Sequence, residues 1–316
     1  MNRPRYRAGL VVISLVAAAL RLGTWSSVFT ASGVTLDGTD SYYHLRRAWL
    51  TLQDWPWVPQ FDHLMNVPEG APLVWAPLYD FLLATIAKVL PGGPESAVEV
   101  AGAVLPPVLG VLQVLVLAKL LRRLAGPRTA IFGALLAAFL PGVVRFTLLG
   151  ASDHDPLIEL ATLGVLAGMA GCLPRKDADP LPIGRCSIEV AAWLGALVLT
   201  WPGALIHIGL FIVVGVASVG AAGRRSESSF RLGACLTFGG LGAAFISLPF
   251  VLRSIWTASK VASYEGLSWL QLAALLALSL AGSLLALGSG HLQGDRWKIL
   301  APTCISTVAL MLLLPT

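Results

Sequence analysis

Residues 98–128 read VEVAGAVLPPVLGVLQVLVLAKLLRRLAGPR. A long apolar run ends in Arg122, Arg123 and Arg128. A transmembrane helix needs about 20 mostly apolar residues, and Lys or Arg just beyond it mark the cytoplasmic side. The same pairing of apolar run and short basic cluster appears along the rest of the chain. It predicts nine spans, at roughly 8–29, 98–121, 129–149, 156–174, 187–201, 203–222, 231–252, 267–290 and 298–315. The expected fold is all-α, a polytopic transmembrane helix bundle filling residues 1–316 as a single transmembrane domain. The fifth run is short, and it meets the sixth at Trp201-Pro202-Gly203, a turn signal.

Composition supports this reading. Hydrophobic residues make up 56% of the chain and charged residues 12%, against about 25% charged in a soluble domain. The net charge of +5 would suit a nucleic-acid partner, but the cations sit at span ends rather than along one soluble face, which excludes nucleic acid. Cys172, Cys186, Cys235 and Cys304 have no metal-ligand spacing and are read as small packing residues. The run after Met-Asn-Arg-Pro-Arg-Tyr-Arg is read as a retained first helix, not a cleaved signal.

Orientation follows from the basic loops. Arg3, Arg5 and Arg7 precede the first span. Arg122, Arg123 and Arg128 follow the second, and Arg175, Lys176 and Arg185 the fourth. Arg224, Arg225 and Arg231 follow the sixth, and Arg296 and Lys298 the eighth. With nine spans all five clusters share one side, which is therefore cytoplasmic, in a plasma or inner membrane. The other side holds a long first loop, 30–97, and short loops near 150–155 and 253–266. Leu78 to Leu90 is apolar but too short to span, and reads as an interfacial or re-entrant helix. Trp49, Trp55, Trp57 and Trp75 suit the membrane–water boundary.

Asp37, Asp40, Asp153, Asp155, Glu159 and Glu265 all fall on or near that outer side. Gathered carboxylates repel unless a cation sits among them. Mg²⁺ or Mn²⁺ prefers oxygen ligands and keeps positions for water or phosphate. The cluster therefore points to a metal holding a phosphate-bearing substrate at the membrane surface, against the plainer reading of solvated loop acids. Two patterns stand out. Asp40-Ser41-Tyr42-Tyr43-His44-Leu45-Arg46-Arg47 reads as the start of an amphipathic helix with Asp40 as N-cap and His44 on its surface. Arg145 and then Gly150-Ala151-Ser152-Asp153-His154-Asp155-Pro156 reads as a capped helix start. Arg21 lies inside the first span, where a charge faces protein or water. His207 in the sixth is read as bonded to a neighbouring helix.

Together the two patterns resemble the catalytic subunit of oligosaccharyltransferase, which transfers a lipid-linked glycan to asparagine and has a GT-C type membrane domain. Asp40-Ser-Tyr-Tyr-His-Leu-Arg46 is similar to that family's first acidic motif, and Asp153-His154-Asp155 with Arg145 to its second. Pro68, Gly70, Trp75-Ala-Pro-Leu-Tyr-Asp80 and Trp201-Pro-Gly-Ala204 also fit its pattern. The resemblance implies that Asp40, Asp153, Asp155 and Glu265, in Ala262-Ser263-Tyr264-Glu265, ligate Mn²⁺ or Mg²⁺. It gives Asp40, Asp155 and Glu265 the catalytic work, with Asp40 and Glu265 accepting hydrogen bonds from the acceptor amide. Arg145, with His154 beside it, would hold the pyrophosphate of a polyprenyl-linked glycan donor.

The family also carries a C-terminal soluble domain with a Trp-Trp-Asp motif that reads the acceptor. No Trp-Trp-Asp occurs in these 316 residues. The expectation is therefore a membrane domain without that soluble domain, with a partner subunit in its place or another acceptor. Related alternatives are a glycosyltransferase with a lipid or glycan acceptor, and an inactive fragment or partner subunit. A transporter is the alternative from another class. Its ionisable groups would lie near mid-membrane between repeated halves, and no repeat is visible.

Overall fold

The computed structural model describes residues 3–174, 179–222, 227–259 and 262–289, with Ile305. The ninth expected span, Cys304 and the cations Arg175, Lys176, Arg224, Arg225, Arg296 and Lys298 lie outside the described residues. In chain order the helices are α1 (Arg3–Arg21), α2 (Trp25–Val28), α3 (Thr39–Gln53), α4 (Leu78–Val89), α5 (Pro94–Ala125), α6 (Pro127–Phe139), α7 (Pro141–Phe146), α8 (Asp155–Cys172), α9 (Ile183–Thr200), α10 (Leu205–Ala222), α11 (Glu227–Leu252), α12 (Ile255–Ser259) and α13 (Trp269–Gly288). The strands among the described residues form two short ribbons, β1 (Phe29–Thr30) with β2 (Gly33–Val34) and β3 (Phe61–Asp62) with β4 (Ala71–Pro72).

The fold is all-α, as the apolar runs required. Six stretches among the described residues are long and apolar enough to cross a membrane: Arg3–Val28, Pro94–Ala125, Asp155–Cys172, Ile183–Thr200, Glu227–Leu252 and Trp269–Gly288. The fifth run, short in sequence, extends back to Ile183 and reaches 18 residues. The third corrects the expectation of one helix over 129–149. It is broken between α6 and α7 at Leu140, whose ψ of 116° is extended. Pro141 is the cause. Its ring pushes the preceding residue out of the helical region, and it has no N–H to continue the ladder.

The described chain divides into two compact units, one of Met1–Ala71 and Pro77–Leu163, the other of Pro72–Ala76 and the described part of Gly164–Thr316. In the first, α1, α5 and α6 pack through Ile13, Ala17, Val114, Ala118, Ala134 and Ala138. Small side chains let helices approach closely where lipid supplies no hydrophobic drive. Arg21, wholly buried, finds its partners here. Its Nε donates to Thr147 Oγ1 at 2.8 Å, and its Nη1 to the carbonyls of Ala17 at 3.1 Å and Ala138 at 3.4 Å. Ala138 lies in the last turn of α6, where carbonyls lack intrahelical donors and a cation is favoured.

α4 occupies the stretch read as a short non-spanning helix. Trp55 lies over it, stacked 6.1 Å from Phe81, with Lys88 Nζ 3.8 Å from the indole centroid. The second unit is built on α9, α11 and α13. Gly233 and Gly282 face one another there, and a Cβ on either would sit within 2.7 Å of the other's carbonyl oxygen. Trp201-Pro202-Gly203 ends α9 and forms a single 3-10 turn, Pro202–Ala204, before α10.

Candidate metal and donor site

The site begins on α3. Gly38, at φ 81°, lets the chain turn into the helix, which starts at Thr39. Asp40 is thus in the first turn and is not the N-cap that sequence predicted. An acid there still complements the helix dipole, and Asp40 is exposed. Asp40, His44, Arg47 and Thr51 recur at helical spacing and share a face. All but Asp40 are buried, His44 at 1% exposure. His44 is therefore no surface residue, contrary to the sequence reading.

What buries it is α4. Asp80, fully buried, lies 2.7 Å by Oδ1 from His44 Nδ1 and accepts from Arg47 Nη1 at 2.6 Å through Oδ2. Burial alone would push the Asp80 carboxyl up, but its contacts with His44 and Arg47 outweigh that and hold it below the ordinary carboxylate value. Beside it Tyr79 lies 3.1 Å from Ser152 Oγ. Burial pushes the Tyr79 phenol up, so it stays protonated.

The second motif arrives on the segment before α8. Ser152 pairs with Tyr79 rather than capping the helix, and Asp153 Oδ1 accepts from the His154 backbone N–H at 2.6 Å. The His154 ring lies 2.6 Å by Nδ1 from Asp153 Oδ1 and 3.2 Å from His44 Nε2. His44 Nε2 is 3.9 Å from Asp153 Oδ1. Burial would raise the Asp153 carboxyl, but its bond to and charge from His154 keep it low. Burial would likewise lower His154, and Asp153 reverses that, holding the imidazole above its ordinary value. Asp155 opens α8 within charge–charge reach of Asp153 and Asp40. Gln113 on α5 donates to the Pro156 carbonyl at 2.8 Å and ties this corner down.

One ligand atom each from His44, Asp153 and His154 lies within 4.8 Å of the others. A carboxylate oxygen with imidazole nitrogens suits a divalent ion, so the residues present fit a metal. The grouping is richer in nitrogen than the carboxylate set predicted from sequence. Sequence reading missed His44, Arg47 and Asp80 as a unit. The signal was an acid inside the apolar run 78–90, since a buried charge demands partners.

Arg145, on α7, is 60% exposed and paired with Asp37. Glu265 belongs to the second unit. It follows Ser263, whose backbone N–H donates to Ser268 Oγ at 2.9 Å, and Ser268 caps α13 in a capping box with Gln271. There Glu265 and Tyr264 line a cavity of about 340 Å³ together with Trp75, Trp201 and Pro202.

The family described as oligosaccharyl transferase STT3, N-terminal, matches residues 10–311. The dolichyl-monophosphooligosaccharide–protein glycotransferase AglB of Haloferax volcanii is 30% identical over 248 residues, covering 71% of this chain and 23% of that protein. Dolichyl-phosphooligosaccharide–protein glycotransferase 1 of Archaeoglobus fulgidus is 31% identical over 150 residues, 47% of this chain and 24% of its own length. The chain thus spans about a quarter of these relatives. Among solved structures, the Archaeoglobus fulgidus oligosaccharyltransferase tethered to an acceptor peptide containing the NVT sequon superposes with a TM-score of 0.80. Its identity is 22%, over 99% of this chain and 39% of that one. The same enzyme in complex with Zn and sulfate gives 0.79 at 22% identity, over 96% and 39%. Its apolar helices and a family match over nearly its whole length make this chain a multi-pass membrane protein that belongs to the oligosaccharyl transferase STT3 family.

Proposed function

We propose that this chain is the membrane part of an oligosaccharyltransferase, transferring a glycan from a polyprenyl-(pyro)phosphate donor to asparagine of an acceptor polypeptide. The observation that carries the reading is the meeting of both acidic motifs in the first unit, with Asp153 and His154 beside His44 and with Asp155 in charge reach of Asp40 and Asp153. The relatives support the substrate class, since they are named phosphooligosaccharide–protein glycotransferases. One solved neighbour was in complex with an inhibitory peptide and a dolichol-phosphate.

Asp40, Asp153, Asp155 and Glu265 are the proposed carboxylate ligands of a divalent ion, Mn²⁺ or Mg²⁺. When bound, such an ion stabilises the charge that develops on a phosphate leaving group. The protein's own groups do the rest. Asp153 keeps its charge against burial, held by the His154 ring and the His154 backbone N–H. The His154 ring is the proposed contact for phosphate oxygens. Arg145 has a forked guanidinium suited to a pyrophosphate, and would exchange Asp37 for it. Asp40 and Glu265 would accept from the acceptor amide. The N-terminus is proposed as cytoplasmic and the site as outward-facing, because the basic loops alternate with the acidic ones.

Binding of a polyprenyl-pyrophosphate-linked glycan to the purified chain tests this reading. Binding that requires Mn²⁺ or Mg²⁺ and is lost in Asp40→Ala and Asp153→Ala supports it. Binding indifferent to metal and to both substitutions overturns the site.

A further inference from the structure

The buried chain Arg47–Asp80–His44 is larger than a packing role needs. Arg47 is 2% exposed and Asp80 fully buried. Arg47 also donates from Nε to the Pro59 carbonyl at 3.1 Å, so its guanidinium is fixed at both ends. Two ionised groups taken out of water cost several kcal/mol each, and apolar residues of like volume would be as stable there. What the arrangement does provide is a defined imidazole. A carboxylate only accepts hydrogen bonds, so Asp80 Oδ1, 2.7 Å from His44 Nδ1, places the proton on that nitrogen. In a neutral ring the other nitrogen is then an acceptor. That atom, His44 Nε2, lies 3.2 Å from His154 Nδ1 and 3.9 Å from Asp153 Oδ1. A carboxylate behind a histidine, itself held by a further group, is how proteins orient a metal-ligating imidazole.

We infer that Asp80, held by Arg47, is a positioning residue that presents His44 Nε2 as a nitrogen ligand, so that the site selects a transition ion over Mg²⁺. This deepens the proposed function and rests on its metal. It replaces the all-carboxylate set read from the sequence with a mixed one. Oxygen-only sites suit Mg²⁺ and Mn²⁺ alike, whereas an imidazole raises affinity along the transition series, from Mn²⁺ to later ions such as Co²⁺. Of the two ions proposed above, only Mn²⁺ belongs to that series. His44 sits on α3 four residues beyond Asp40, so one helix turn delivers an oxygen and a nitrogen donor to the same region.

The test is direct binding of Co²⁺, Mn²⁺ and Mg²⁺ to the purified full chain in nanodiscs. Affinities are read by titration, the Co²⁺ site by visible absorption, and imidazole nitrogen by spin-echo modulation on bound Mn²⁺. The wild-type Mn²⁺ signal is expected to show imidazole nitrogen, and that measurement needs no variant to fold. Asp80→Asn and His44→Gln are expected to weaken Co²⁺ and Mn²⁺ about 10–100-fold while Mg²⁺ binding holds, narrowing the preference. A purely structural role would lower all three alike and leave the Co²⁺ spectrum unchanged. A nitrogen-free Mn²⁺ signal, or transition-ion affinity untouched by both substitutions, overturns the inference and leaves the carboxylate site standing. Absence of any divalent-ion binding by the wild type overturns both.

Discussion

At the scale of single residues, stability and function compete around Asp80. Removing one partner of a buried pair leaves the other charge uncompensated, typically at about 3–5 kcal/mol. Asp80→Ala is therefore expected to lower the unfolding temperature in detergent sharply. Asp80→Leu combined with Arg47→Met, which removes both charges, is expected to recover most of that loss. A second pair gives a pH signature. Arg46 grips Asp62 with two bonds, 3.0 and 3.2 Å, and the Leu64 backbone N–H adds a third at 2.9 Å. The Arg46 bond holds the Asp62 carboxyl below its ordinary value. A depressed carboxylate contributes stability that is present above its unfolded value and lost as pH falls through the folded one. Acidification below about pH 4 is thus expected to loosen the 61–72 ribbon. Limited proteolysis of that ribbon measures it, and Asp62→Asn removes the pH dependence. Arg145 is exposed and paired only through Asp37 among the contacts described. Arg145→Ala is expected to raise the donor KM by about 10-fold or more, the loss of a charged hydrogen bond, with little change in stability.

At the scale of elements, close helix contacts set what the packing tolerates. A Cβ on Gly233 would meet the backbone N of Ala286 at 2.5 Å and the Gly282 carbonyl at 2.6 Å, whereas one on Gly209 would meet nothing within 4 Å. Gly233→Val is expected to separate α11 from α13 and cost about 1–3 kcal/mol. Gly209→Ala is expected to be neutral, both read as thermal unfolding in detergent. The sequence made the helices legible because apolar length is a strong signal, and even the short fifth run proved a full helix. The break at Leu140–Pro141 was written in the proline, but hydropathy does not register a missing N–H. The acidic motifs were legible as motifs. Their coupling to Asp80 was not, because it depends on α4 folding back onto α3, a pairing that no local periodicity encodes. The partners of Arg21 were hidden for the same reason. One of them is a carbonyl in the last turn of α6, the helix that Pro141 cuts short.

At the scale of the whole molecule, orientation and chemistry are joined. The proposed topology puts Arg122 and Arg123, at the end of α5, and Arg128, at the start of α6, on the side opposite the acidic motifs. A membrane-impermeant maleimide is expected to label Ser32→Cys from the outside only and Arg128→Cys from the cytoplasmic side only. Labelling of both from one side contradicts the topology. Glycan transfer is the activity proposed for the acidic face. Its most direct measurement is transfer of a polyprenyl-pyrophosphate-linked glycan to an Asn-x-Thr peptide by the purified chain, with added divalent ion. Transfer is expected to require the ion and to disappear in Asp40→Ala and in Asp153→Ala. Transfer that persists in both variants, or proceeds unchanged in excess chelator, contradicts that expectation.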